Sequence, residues 1–470
     1  MQFYLLEKFF IFLQNLADKN KMKKTRKSFI LVIVSLFFMQ NAFCIPKGTI
    51  ESTSSVDWVS KKFVSNIVMD TKKAQITLPS GKKMASANIK MKMPELIQEP
   101  LLFLYADSSK HLADYVINEK LPLPTVQSFI QNGYKTPDVF TSDANKLKTT
   151  NTLELNNLAS NLVKHTYAYT PQEPIENVPS RAYTGIIIDA RGMLTVHGEY
   201  VKDNTYPCFF PTIWDENMNV IYEKNMVEPS VIKNNGLVSF DYSDDIKRYE
   251  NRIGNDPLYI KVSEVFGRNR TDPVIKRSDA LKILTVKENV ELLKQGKVVI
   301  LLDKDNLIYN VAVPQKDEIY YAKVEEAKRK LLTTVIPDTE IVETAEGPKY
   351  IVQLNFYPDS PKLLPGEDKK IQMIAEDLKN IILDEGYTIM VEGHTADVGK
   401  PVGQLNLSID RAQAVVNALV SEGISRNIMT SKGLGGTLPI ADNETEEGRK
   451  QNRRVEIVAR PRATYIQRDW

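Results

Sequence analysis

Cysteine is almost missing from this chain. Only Cys44 and Cys208 occur in 470 residues, which excludes a disulfide-stapled scaffold. Histidine is equally sparse. His111, His165, His197 and His394 are scattered, and no local spacing among them builds a metal-ligand cluster. Charge of one sign is not in excess either. Lys plus Arg number 61 and Asp plus Glu 59, a balance of +2, which argues against a nucleic-acid partner and its basic stripe. No apolar run reaches the roughly twenty residues a bilayer-spanning helix needs. Enzyme signatures are lacking as well: there is no Gly-x-Ser-x-Gly and no His-Glu-x-x-His. The stretch Gly393–Lys400 mimics a phosphate loop, but Pro401 follows the lysine where Ser or Thr is needed.

What is present begins with an export signal. Lys23, Lys24, Arg26 and Lys27 form a basic head after Met22, and Phe29 to Met39 form an apolar run. That run is too short to span a bilayer but suits a signal-peptide core. Ala42 and Cys44 are small residues at the −3 and −1 positions of a cut before Ile45. Residues 1–44 are therefore read as a signal peptide whose true start is Met22, with an uncleaved anchor as the alternative. Lipidation of Cys44 requires a small residue before it and a Leu three before it; Phe43 and Asn41 stand there instead.

The mature chain divides by pattern. Residues 45–178 open with strand-like alternation (Ile67, Met69, Ala74, Ile76, Leu78), continue through helical spacing over 84–135, and end in the Pro-rich stretch 170–180. Residues 180–303 carry continuous apolar runs, Ile186–Ile188 and Val298–Leu302, of the kind found in buried strands. There Asp215–Asn219 reads as a hairpin turn, Ser278 as a helix N-cap, and Cys208, among Pro207, Phe209 and Phe210, as an inert buried thiol. Residues 304–336 include an amphipathic helix with Glu–Lys pairs (Asp317–Leu332) and read as a spacer. Residues 337–463 alternate strand and helix: a hairpin over 340–356, a helix over 369–383, a strand over 387–392, a helix over 407–422, and strands over 428–434 and 454–459. The fold class expected is α/β (α+β) throughout.

The last block is the most telling. Val391-Glu-Gly-His-Thr, Leu407-Ser-x-x-Arg-Ala, Asn452-Arg-Arg-Val-Glu-Ile, and the upstream Asn355-Phe356 and Asp359-Ser360 together resemble the OmpA-like C-terminal domain. The resemblance implies a β-α-β-α-β sandwich preceded by mixed α/β periplasmic modules. It also implies noncovalent binding of peptidoglycan, through the stem-peptide diamino acid, with no catalysis and no cofactor. By the resemblance, Arg411 takes the carboxylate of that diamino acid. Ser408, three residues earlier, reads as the cap of a helix start at which an anion is favoured. The acid usual in the Gly-His-Thr-Asp motif is replaced by Ala396, so either the loop shifts and Asp397, one residue later, accepts the ammonium group, or the acidic ligand is lost. A changed pocket suits a wall with a changed diamino acid. Thr395 offers a hydroxyl or backbone group. His394 is expected to hydrogen-bond within the turn, Asn452 to fix the loop, one of Arg453 and Arg454 to lie near the ligand, and Asn355 and Asp359 to contact it from the loop after the strand.

The frame IIIDARG…WDENMNVIY…VVILLD over 180–303 resembles a small periplasmic domain of envelope lipoproteins and of flagellar assembly protein T. The two resemblances imply an exported protein of the periplasm or outer-membrane surface, with an outer-membrane protein as a second partner. The rival readings are a flagellar or envelope-assembly accessory, and a wall hydrolase with its activity in 45–303.

Overall fold

The structure is a computed structural model. It describes residues 46–469 except 47, 78–79, 142–144, 200, 334–335, 337 and 383–385. The expected signal, residues 1–44, lies outside them.

Three strands form the frame of the N-terminal region: β1 (Ile50–Asp57), β2 (Lys62–Asp70) and β3 (Lys146–Glu154). They pair antiparallel in that order. Alternate residues turn inward, so Ile50 and Val56, Phe63, Ile67 and Met69, and Leu147 and Leu153 are all buried, as a two-residue period requires. Helix α1 (Lys82–Leu102) presses Ile89, Met93, Leu96, Ile97 and Leu101 into this core, and α2 (Leu123–Gln131) adds Val126 and Ile130. Pro94 and Pro100 lie inside α1. At the β1–β2 turn, Trp58 reaches into the middle region and meets Phe209 and Phe240 edge-on, with ring centroids 5.1 and 5.9 Å apart.

The middle region is built on four parallel strands in the order Ser239–Asp241, Val298–Leu301, Ile186–Asp189, Leu258–Lys261. Two of these are the continuous apolar runs seen in the sequence, and all four residues of each are buried. Asp215 does shape the expected turn: its Oδ1 accepts the amides of Asn217 and Asn219. Ser278 is not an N-cap. The helix Arg277–Leu284 follows Lys276 and has no side-chain cap. Cys208 is buried, and burial pushes its thiol well above the usual range.

The C-terminal region holds α3 (Glu318–Thr333), β4 (Thr339–Glu343), β5 (Pro348–Val352), α4 (Glu367–Ile381), β6 (Thr388–Gly393), α5 (Pro401–Ser421), β7 (Met429–Gly433), α6 (Glu446–Asn452) and β8 (Val455–Arg460). The sheet order is β4-β5-β8-β6-β7, with β6 and β7 parallel and the other pairs antiparallel. The alternation expected from the sequence is therefore present. Ile374 and Leu378 of α4 and Val415, Val416 and Leu419 of α5 pack on Tyr350, Ile389, Val391 and Ile457 of the sheet.

Beyond β8 the chain runs back to the N-terminal region. There β9 (Ile466–Arg468) pairs antiparallel with Glu51–Thr53 of β1. The strand Ile308–Asn310 pairs with the remainder of the same edge, Ser55–Asp57. Asp469 is buried, and its carboxylate accepts the Ile50 amide at 2.9 Å and the Thr49 hydroxyl at 3.4 Å. Asp469→Ala strands a buried amide and is expected to lower stability by about 1–3 kcal/mol. Denaturant unfolding measures this, and hydrogen exchange should quicken first at Ile50.

Candidate functional site

The site depends on where α5 begins. Pro401 occupies its first turn, where a fixed φ and a missing N–H cost nothing. Ser408 therefore lies within the helix rather than at its cap, which corrects the sequence expectation. It is fully buried; its hydroxyl donates to the Leu405 carbonyl (2.6 Å) and accepts the Gly435 amide (2.9 Å). No free helix N–H groups surround Arg411, which stands almost three turns in. What Ser408 does instead is seat the helix. A Cβ at Gly393 would collide with the Ser408 carbonyl, and one at Gly433 with Ile409, so only glycines there let α5 lie on the ends of β6 and β7.

Arg411 is held by the loop after β5. Its Nε donates to the Ser360 carbonyl at 3.2 Å, and its guanidinium carbon lies 4.7 Å from the centroid of the Phe356 ring. Among the described residues it has no ion pair, and its Nη groups have no hydrogen-bond partner. Burial, then the neighbouring Arg453, pulls its pKa below the ordinary arginine value, while Asp359 acts the other way. Asp359 is exposed and sits at φ +49°, at the crest of the turn joining Tyr357 to Lys362. Asn355 donates to Glu367 Oε1 at 2.7 Å. Arg453 is tied at 2.5 Å to Glu446, which also holds Arg449 at 2.8 Å.

Arg411, Arg453 and Asp359 thus form one electrostatic group, with Phe356 as its floor. The sequence motif contained Phe356 but assigned it no role; its signal was the Asn-Phe pair, six residues before Lys362. Asp397 is exposed, but its Oδ1 accepts the Gly399 amide at 3.0 Å, and its own amide donates to Asn443. The charges acting on Arg411 are those of Arg453 and Asp359.

The remaining motif residues face inward. Asn452 is buried and fixes a loop: Oδ1 accepts the Ile440 and Ala441 amides, and Nδ2 donates to the Ala441 carbonyl and to Asn443. Arg454 is buried, 2.7 Å from Glu456 and 3.1 Å from the Leu438 carbonyl. Of the two arginines, then, Arg453 lies beside Arg411 and Arg454 supports the sheet. The Thr395 amide donates to the Gly435 carbonyl, while its buried hydroxyl lacks a partner among the described residues. Gln404 Nε2 donates to the Ala396 carbonyl at 2.7 Å and so braces the loop from within.

His394 departs from expectation. Its amide donates to the Arg454 carbonyl, but neither ring nitrogen has a hydrogen-bond partner among the described residues. Burial, then Arg454, lowers its pKa to about 3, so the ring is neutral. Ligand atoms of Glu392, His394 and Glu456 lie within 4.8 Å of one another, a grouping hidden in the sequence because it spans two neighbouring strands. It is poor ground for a metal ion. Arg268 already binds Glu392 at 2.6 Å, and Arg454 and Lys349 each bind Glu456 at 2.7 Å. Three cations offset two carboxylates, so a further positive ion meets net repulsion.

Residues 355–453 match the OmpA family, residues 49–161 match the N-terminal domain of Treponema pallidum Tp0624, and residues 185–304 match the second domain of that protein. Outer membrane protein A of Bordetella avium is 34% identical over 135 residues, which cover 26% of this chain and 68% of the relative. The chain belongs to the OmpA family. A protein of Mycobacterium tuberculosis named as the peptidoglycan-binding protein ArfA is 30% identical over 156 residues, covering 28% of this chain and 47% of that one. The chain thus spans about half the length of several curated relatives it matches. The periplasmic domain of Helicobacter pylori MotB aligns at 25% identity with a TM-score of 0.25, covering 27% of this chain and 82% of that one.

The neutral His394 sets an acid limit. The unfolded chain takes up its proton near pH 6.5 and the folded chain only near 3, so stability present above pH 6.5 is lost as pH falls toward 3. Glu346, held below the carboxylate range chiefly by Arg268 against its burial, adds a further loss below about pH 4.5. Urea unfolding from pH 7 to 4 should show a falling midpoint, and His394→Asn should flatten the part above pH 4.5.

Proposed function

We propose that this chain binds peptidoglycan noncovalently, with Arg411 clasping a carboxylate of the stem peptide. One observation carries the reading: a half-buried guanidinium, stacked on an aromatic ring and backed by a second arginine, has its terminal donors unspent. A guanidinium fork in that state is suited to a carboxylate that completes its bonds. Arg453 raises the local potential further. Asp359 is better placed than Asp397 to accept an accompanying ammonium group, because it already acts on Arg411 while Asp397 is engaged with Gly399. Asn355 and the loop held by Asn452 shape the rim, with Thr395 and His394 buried beneath it. No bond is made or broken. Relatives named as peptidoglycan-binding and outer-membrane proteins support a place in the envelope, in the periplasm or at the outer membrane, with the wall as partner; an outer-membrane protein is the second partner of this reading. Among the described residues no helix is long and apolar enough to cross a membrane.

Removing one member of a desolvated charge pair costs roughly 2–5 kcal/mol of binding. Arg411→Ala should therefore leave the protein in the supernatant when purified sacculi are pelleted, with an unchanged circular dichroism spectrum. Pelleting by the variant as well as by the wild type would move the site elsewhere. Sacculi with diaminopimelate, ornithine or lysine in the stem identify the preferred wall, and equal retention by all three would remove the idea that Ala396 reflects a changed diamino acid.

A further inference from the structure

Three parts of the chain meet beneath the wall-binding loop at a buried charge cluster. Its centre is Arg268, on the turn Gly267–Arg270 of the middle region, which is only 7% exposed. Its Nε donates to Glu392 Oε1 at 2.6 Å, and its Nη2 to Glu346 Oε2 at 2.9 Å. Glu346 also pairs with Arg460 and faces His111 of the N-terminal region. Lys432 of β7 donates to the Arg268 carbonyl at 2.7 Å. The turn that presents Arg268 is itself clamped: Asn269 donates through its amide to the Ser108 carbonyl and through Nδ2 to the Asp107 carbonyl. A Cβ at Gly267 would strike Ser108. Nearby, Gly198 of the middle region lies against Leu405 of α5 so closely that a Cβ has no room.

Glu392 is fully buried at the end of β6, two residues before His394. From there the contacts are continuous. The His394 amide bonds the Arg454 carbonyl, and Arg454 is the neighbour of Arg453 and grips Glu456. Arg453 stands beside Arg411. The end of β6 also sets the loop that leads into α5, on which Arg411 is carried.

We propose that Arg268 is a positioning residue for the peptidoglycan site: through Glu392 it fixes the end of β6, and with it the loop and the Arg411–Arg453 pair that meet the ligand. The binding surface of the C-terminal region is therefore completed from the middle region, and its affinity depends on a residue that never touches the wall. This inference rests on the wall-binding reading of Arg411.

The test uses the full chain and a soluble muropeptide with a free stem carboxylate, titrated well below the unfolding temperature. Arg268→Met should weaken binding about tenfold, the scale of a typical coupling between sites. Arg268→Lys, which keeps the charge but not the fork, should recover part of the loss. Combining Arg268→Met with Glu392→Gln should weaken binding no more than Arg268→Met alone, because both changes break one link. Leu96→Ala, in the N-terminal core, controls for lost stability: it should lower the unfolding midpoint and leave affinity unchanged. Wild-type affinity in Arg268→Met, with binding abolished in Arg411→Ala, would overturn the inference and leave the wall-binding reading standing. Equal weakening by Leu96→Ala would overturn it too. No muropeptide binding by the wild type would instead remove the reading beneath it.

Discussion

The arrangement rests on one close approach. Helix α5 lies against the ends of β6 and β7 with Ser408 at the point of contact, and two glycines, Gly393 and Gly433, make that distance possible. Everything at the site is referenced to it. The loop that leaves β6 must turn over the helix, so the Thr395 and Leu434 amides bond across to the Gly435 and Gly393 carbonyls. Arg411, one turn beyond Ser408, is carried to the face where the β5 loop offers a carbonyl and an aromatic ring. A small side chain, a hydroxyl with two obligations and two missing Cβ atoms thus decide where a guanidinium stands.

Around this contact the chain buries more charge than a core tolerates unless each group is answered. Glu392, Glu346 and Glu456 are taken by Arg268, Arg460, Arg454 and Lys349, and the cations come from three separate stretches of sequence. Such a cluster adds little net stability compared with an apolar core, but it is intolerant of rearrangement. It fixes how the three regions sit on one another. Trp58, wedged between Phe209 and Phe240, does the same by apolar packing at the other junction.

Much of the C-terminal architecture was legible because its period is local. Alternation marks β5, nearly continuous buried runs mark β6 and β8, and spacing of three and four marks α4 and α5. The four buried residues of Ile186–Asp189 could be read in the same way. The failures have physical causes. The start of α5 was placed at Leu407 because Ser408 in the Leu-Ser-x-x-Arg-Ala run reads as a cap, whereas the helix begins where Pro401 allows it. The cap at Ser278 failed because Asp279 and Ala280 already bond back to Lys276. His394 looked like a turn former by composition, but its ring is enclosed by strands far apart in sequence. The Arg268 cluster was invisible for the same reason: its partners lie 78 and 124 residues away. What sequence pattern conveys is the neighbour along the chain; what it omits here is the neighbour across regions.

The pairing of β9 with β1 joins residues 417 positions apart, as in the contact between Glu51 and Arg468. The first of the described strands is thereby completed by the last of them. Until that partner strand is in place the sheet keeps a bare row of amides and carbonyls along one border, an invitation to aggregation. Fraying of residues 466–468 therefore uncovers an edge of a sheet that lies more than four hundred residues earlier in the chain.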